Sequence, residues 1–292
     1  MLMLCVAWGI QQVGTKLAAE QGLLPLVQSG ARSLGATILV CLWVALRQGW
    51  PELRRIGRLD RTTLPGAAVG LMFTIEFACL FEGVTRTTAS HAVLLLYTAP
   101  FFTAAGAHLF LRGERMTFVQ LGGLVCAFAG VALSTGAGTG LRSGDALVLA
   151  AAALWGATTI TIRATRLAAE PPSRVLLYQL GPSGLLLLLA AALTGQFAAV
   201  ADASRFAWAA LAYQTVIVAF ASYLIWFWLL TRYSPRILSA FTLLTPLFGI
   251  AAGATVLHET LSPFLVAAFV LVAIGLSLVN ARTRRPAASA PD

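Results

Sequence analysis

The sequence predicts an all-α integral membrane protein of ten transmembrane helices, arranged as two inverted five-helix repeats around a central cavity with both termini cytoplasmic. Three observations predict it: apolar residues in long uninterrupted runs, arginines gathered into alternate gaps between those runs, and landmarks that recur about 146 residues apart.

Of 292 residues, 59% are hydrophobic and only 11% charged, with a mean hydropathy of +0.84. Soluble domains carry about a quarter charged residues. A soluble fold of this composition would expose the apolar excess to water, whereas a bilayer covers it. The formal charge of +9 sits in short gaps between apolar runs, which is how membrane orientation is encoded and not the stripe a nucleic acid requires. Cys5, Cys41, Cys79 and Cys126 fall inside apolar runs without CxxC spacing, so neither disulfides nor a metal site is expected. The first run lacks a basic leader and feeds directly into a second, which argues against a cleaved signal peptide. It starts almost at residue 1, which suggests that a few native N-terminal residues are missing.

Each apolar run is about 18–23 residues, enough to cross roughly 30 Å of hydrocarbon. Helices are expected near 2–19, 24–46, 64–85, 89–111, 117–135, 144–164, 173–195, 206–230, 235–257 and 262–280. Backbone facing lipid must satisfy its own hydrogen bonds, which leaves helices or a closed barrel. Stretches such as Leu185 to Leu193 show none of the alternation a barrel needs.

With a cytoplasmic N-terminus, the inside segments hold Arg47, Arg54, Arg55, Arg58, Arg61, Arg112, Arg115, Arg163, Arg166, Arg174, Arg232, Arg236, Arg282, Arg284 and Arg285. The outside segments hold Arg86, Arg142 and Arg205. Fifteen against three fixes the orientation. The tail 282–292, rich in Pro and Ala, is expected to be disordered.

Trp8-Gly9 is matched by Trp155-Gly156 and Lys16 by Arg163, each 147 residues on; Pro100 is matched by Pro246; Glu114 and Gly130 by Glu259 and Gly275. The order and near-constant offset define repeats at 1–140 and 141–281. A five-helix unit that starts inside ends outside, so its second copy enters upside down. Such a duplication lets one site be reached from either side as the halves rock. A transporter is therefore expected.

The repeated elements are the Trp-Gly of each first helix, Leu96-Tyr97-Thr98-Ala99-Pro100 with Leu243-Leu244-Thr245-Pro246, and Gly113-Glu114-Arg115 with His258-Glu259-Thr260. Glycine-rich closing helices follow, Gly122-Gly123 through Gly130 and the segment to Gly275. In these the chain resembles the drug/metabolite transporter superfamily, in particular its ten-helix EamA-type members, over nearly its whole length. Within them it looks most like bacterial inner-membrane amino-acid exporters of the YddG type. The resemblance implies export of small metabolites across the bacterial inner membrane.

Glu76 lies about twelve residues into the third helix, near the midplane, where a carboxylate costs about 2.5–3.5 kcal/mol on insertion scales. It should face a wet cavity or a partner: a substrate ammonium, a proton, or Arg32 on the antiparallel second helix. Glu82 is nearer the outer surface and reads as solvated. Trp8 and Trp155 are mid-helix, away from the interfacial belts, and could wall a cavity or simply pack beside the adjacent glycine. Tyr97 needs a partner for its hydroxyl at similar depth. Pro100 and Pro246 each free a carbonyl one turn earlier, which permits bending as well as a static kink. Tyr213 and Phe220, seven apart on the eighth helix, and Gln179 complete the candidate binding set, while His91 at an outer helix start reads as capping or hydrated. Gly66xxxGly70, Gly249xxxGly253 and the Gly122/Cys126/Gly130 ladder are packing motifs. The run Arg54, Arg55, Arg58, Arg61 is a topology signal that could also touch anionic lipid.

A membrane enzyme would need paired carboxylates, a His/Asp cluster or a metal site; the three histidines form no HExxH, and no P-loop is present. No filter-like repeat suggests a channel. The expectation is a carrier of neutral metabolites, chiefly amino acids, that needs no cofactor and can work as a monomer, although a dimer is also compatible.

Overall fold

The computed structural model describes residues 1–111, 114–136, 142–233, 238, 241–242 and 244–280. Gly113 and Leu243 of the repeated motifs, Arg112 and Arg236 of the orientation count, and the tail from Arg282 lie outside the described residues.

Every regular element among the described residues is helical. In chain order they are α1 (Leu2–Glu20), α2 (Pro25–Arg47), α3 (Trp50–Ile56), α4 (Thr63–Arg86), α5 (Ala89–Leu96), α6 (Ala99–Phe110), α7 (Phe118–Gly136), α8 (Ser143–Ala164), α9 (Pro172–Leu193), α10 (Arg205–Ala212), α11 (Ser222–Arg232), α12 (Thr245–Val256) and α13 (Pro263–Val279). Among the described residues, six spans are long and apolar enough to cross a membrane: α2, α4, Ala89–Phe110, α8, α9 and Arg205–Trp226. Shorter apolar helices accompany them at Phe118–Ser134, Thr245–Val256 and Pro263–Val279. Their outward faces carry Ile38, Leu42, Leu71, Phe128, Leu189 and Val270, all exposed. Lipid is the solvent that such a surface requires.

The structure departs from the sequence-based expectation in three places. The helix expected over 89–111 is broken at Tyr97–Thr98. Pro100 has no N–H for the Leu96 carbonyl. Thr98 instead directs both its N–H (3.0 Å) and its Oγ1 (2.6 Å) to the Leu95 carbonyl, and Phe101 N turns to Thr98 O at 2.9 Å. The helix expected over 206–230 carries a π-helical segment, Tyr213–Ala221, between α10 and α11. Finally, α3 fills what read as an arginine-rich loop. Gly49, at φ 89°, turns the chain and Pro51 starts the helix.

Packing follows the internal repeat. α1 lies on α12 as α8 lies on α6, while α2 pairs with α9 and α7 with α13. Individual atoms repeat the pattern. A Cβ on Gly9 would meet Phe248 Cβ at 2.8 Å and Gly249 N at 2.8 Å; one on Gly156 would meet Phe102 Cβ at 2.7 Å and Thr103 N at 3.0 Å. Phe102 and Thr103 precede Phe248 and Gly249 by 146 residues. The glycine of each Trp-Gly pair thus lets the first helix of one half rest directly on the post-proline helix of the other.

Candidate functional site: a buried charge pair and an open crevice

α2 and α4 bring Arg32 and Glu76 into the interior, 1% and 4% exposed. Counted from the helix ends at Pro25 and Arg86, they lie about 10 and 15 Å deep. They act on each other electrostatically, yet no nitrogen–oxygen contact within 4.0 Å joins them among the described residues. Nε and Nη1 of Arg32 and Oε2 of Glu76 have no hydrogen-bond partner. The guanidinium lies over the Phe77 ring, 4.6 Å from its centroid, and Tyr223 is its other electrostatic neighbour. Buried charges are ordinarily paired and hydrogen-bonded. Two opposite charges held apart, each with unused valence, can receive a ligand that carries both signs.

One turn before Arg32 on α2, Gln28 anchors a polar network. Gln28 Nε2 donates to the carbonyls of Thr15 (3.1 Å) and Leu23 (2.5 Å), Gln214 Nε2 donates to Gln28 Oε1 (3.1 Å), and Thr15 Oγ1 donates to Gln214 Oε1 (3.4 Å). All three side chains are buried. Gln28 and Gln214 were missed as structural polar residues because nothing in the sequence shows that they meet across 186 positions.

The other candidates divide between two surroundings. Trp155, 43% exposed, lines a crevice of about 590 Å³ together with Pro100, Thr103, Glu114, Gln120 and Arg163. Trp8, its counterpart, is packed instead: Nε1 donates to Ser222 Oγ at 2.8 Å, and the ring meets Trp226 edge-on at 5.6 Å. Pro246 is buried at the start of α12. Tyr97 lies at the α5–α6 break beside Thr245 and Cys5. Tyr213 donates its hydroxyl to the Ala7 carbonyl at 2.7 Å, tying the π-helical segment to α1. Phe220 packs against the main core, and Gln179 is half-buried on α9. The crevice therefore gathers Trp155 and Pro100, the buried centre holds Arg32 and Glu76, and Trp8 and Tyr213 lie between helices.

His91, expected to be capping or hydrated, is buried, with Nδ1 3.7 Å from Asp145 Oδ1. Glu82 sits at a surface, taking Arg86 at 2.7 Å and Gln196 Nε2 at 2.8 Å. Gly66 and Gly70 do serve close approach, since a Cβ on either would strike Tyr178 of α9 within 2.5 Å.

Apolar spanning helices, a helix broken at proline, opposite charges buried without a direct ion pair and a crevice lined by Trp155 and Pro100 fit a membrane transporter. The EamA-like transporter family matches the chain twice, over residues 1–136 and 142–281, and the chain belongs to that family. It is 26% identical over 290 residues to the uncharacterized transporter YvbV of Bacillus subtilis (strain 168), covering 98% of this chain and 92% of that protein. It is 28% identical over 302 residues to a probable amino-acid metabolite efflux pump of Salmonella typhimurium (strain LT2), covering 98% and 96%. A solved protein structure at 16% identity shares the fold, with a TM-score of 0.55 over 94% of both chains.

Proposed function

We propose that this protein exports small neutral amino acids, including aromatic and hydrophobic ones, across a bacterial inner membrane by alternating access. The observation that carries the reading is the separated Arg32/Glu76 pair, buried and with unused hydrogen-bonding capacity on both sides. An amino acid's carboxylate would bind the Arg32 fork, and its ammonium the Glu76 carboxylate. Trp155, Tyr97 and Phe220 would surround the side chain, with Trp8, Gln179 and Tyr213 bordering the route. Pro100 and Pro246 would let the helices that carry them bend.

In this reading ten helices span the bilayer as two inverted halves, 1–140 and 141–281, with both termini and the segment 282–292 cytoplasmic. A ten-helix unit with its own central site can act as a monomer. The relation to an amino-acid metabolite efflux pump and the repeated packing of α1 on α12 and α8 on α6 support it.

The test is counterflow uptake of labelled amino acids into proteoliposomes without an imposed proton gradient. Uptake of a neutral amino acid, competed by its unlabelled form, is expected. No uptake across the neutral panel, with the protein correctly inserted, would overturn the substrate assignment.

A further inference from the structure

The residues that reveal the repeat also pair crosswise between the halves. Lys16 of α1 approaches Glu259, in the turn between α12 and α13, at 3.8 Å. Their counterparts, Arg163 of α8 and Glu114, in the turn between α6 and α7, form the other pair. Each joins the end of a half's first helix to the turn that follows the opposite half's post-proline helix. Lys16 and Glu259 meet the chain at Thr87 and Ala89, where the Ala89–Phe110 span starts, and Arg163 pairs with Glu114 just past its other end, so the two pairs close opposite ends of that span.

The two ends are not in the same condition. Lys16 and Glu259 are 19% and 9% exposed, whereas Arg163 and Glu114 are 44% and 45% exposed. Lys16 Nζ also donates to the Thr87 carbonyl at 2.6 Å. Glu259 accepts from Ala89 N (2.6 Å), Ser90 N (3.0 Å) and Ser90 Oγ (2.7 Å), so its carboxylate sits on the first turn of α5, where a helix favours negative charge. Glu114, by contrast, lines with Arg163 the crevice of about 590 Å³. Other matched positions follow suit: Trp8 is packed and Trp155 exposed, Pro246 is buried and Pro100 lines the crevice.

From this asymmetry we infer that Lys16–Glu259 and Arg163–Glu114 are reciprocal latches, and that the structure shows the state with the first covered and the second, still an ion pair, open to solvent. Transport exchanges the two conditions. Glu259 leaves the start of α5 as the Lys16 end opens, and the Arg163–Glu114 pair becomes covered as the crevice closes. The inference rests on the transporter reading but on no particular substrate, so a wrong substrate assignment leaves it intact.

The test uses full-length protein in detergent, with Cys5, Cys41, Cys79 and Cys126 replaced by Ala, and measures maleimide labelling of single cysteines. Val93→Cys reports the latched end, since Val93 is 1% exposed one turn beyond Ser90. Thr103→Cys reports the crevice. In the parent, Thr103→Cys should label quickly and Val93→Cys slowly. Adding Lys16→Glu should speed labelling at 93 by about tenfold or more and slow it at 103, since a shift of 1.4 kcal/mol changes a population ratio tenfold. The exchange Lys16→Glu/Glu259→Lys should restore much of the parent pattern. Arg163→Ala, on the exposed pair, keeps the latched end intact and should leave position 93 protected. Unchanged labelling at 93 in a monodisperse Lys16→Glu protein would overturn the latch, as would a rise at both positions together, which reports loosening and not exchange. If Lys16→Glu fails to fold, the milder Lys16→Gln carries the same expectation for both positions.

Discussion

Arg32→Lys keeps a positive charge in the interior and removes the planar fork. In the structure both Nε and Nη1 of Arg32 lack partners, so N–H groups on two sides of the guanidinium are free to bond a ligand. A hydrogen bond to a charged group contributes about 1.5–3 kcal/mol. Lysine keeps the charge but not the fixed, planar set of N–H directions that arginine presents. Loss of one bond corresponds to about 10- to 150-fold weaker substrate affinity. The assay is the concentration dependence of counterflow uptake for a neutral amino acid and for its primary amide, in wild type and variant. The amide offers no carboxylate, so it should bind weakly to both proteins and respond little to the substitution. Equal losses for acid and amide would refute the pairing of Arg32 with the carboxylate. So would a variant that handles the acid as well as wild type does.

Glu76→Gln preserves shape and removes charge; it should change the transport rate or its pH dependence in protein that remains folded and inserted, and wild-type kinetics at every pH would take Glu76 out of the mechanism. Tyr97→Ala and Trp155→Ala should each weaken substrate affinity severalfold, and unchanged affinity in both would assign these rings to packing. Gly275→Ala places a Cβ 2.5 Å from the Gly123 carbonyl oxygen, so α7 and α13 must part at a cost of about 1–3 kcal/mol; a thermal midpoint equal to that of wild type would contradict the close crossing. Asp60, in the α3–α4 loop, is held at a pKa of about 2 by hydrogen bonds from Thr62 Oγ1 and N and from Arg174. A lowered carboxyl pKa stabilises the fold above its ordinary value of about 3.9 and is lost as pH falls toward 2. Asp60→Asn should therefore flatten the stability profile between those values, and an unaltered profile would show that this tie is not felt.

The helical class and the internal repeat were legible because they are written in composition and in chain order. Glu76 and Arg32 stood out because charge is rare in an apolar run. The separation between them was not legible, since it depends on how α2 and α4 are rotated about their axes, and 3.6-residue periodicity is blurred when every face is apolar. Pro100 was visible, but the break at Tyr97–Thr98 also needs Thr98 to spend its hydroxyl on the Leu95 carbonyl, a local alternative to the helix that Thr only sometimes takes. The π-helical segment at Tyr213–Ala221 has neither Gly nor Pro to announce it. It is tied to α1 through Tyr213 and to α2 through Gln214, contacts across most of the chain. The offset between Lys16 and Arg163 could be counted, whereas their crosswise partners could not.

The crossing of α7 and α13 has one more consequence. A Cβ on Gly123 would stand 2.6 Å from the Gly275 carbonyl oxygen, and seven residues on a Cβ on Gly130 would stand 2.8 Å from the Ala268 carbonyl oxygen. Shifted by 145 residues, Gly123 becomes Ala268 and Gly130 becomes Gly275, so each contact is the other with its partners exchanged. That is the isologous geometry by which two identical subunits bind face to face. A chain of half this length, inserted in both orientations, would already possess this seam as its dimer interface. Fusion of two such genes would convert an encounter between molecules into a permanent intramolecular axle, leaving each copy free to diverge wherever the two sides of a membrane make different demands.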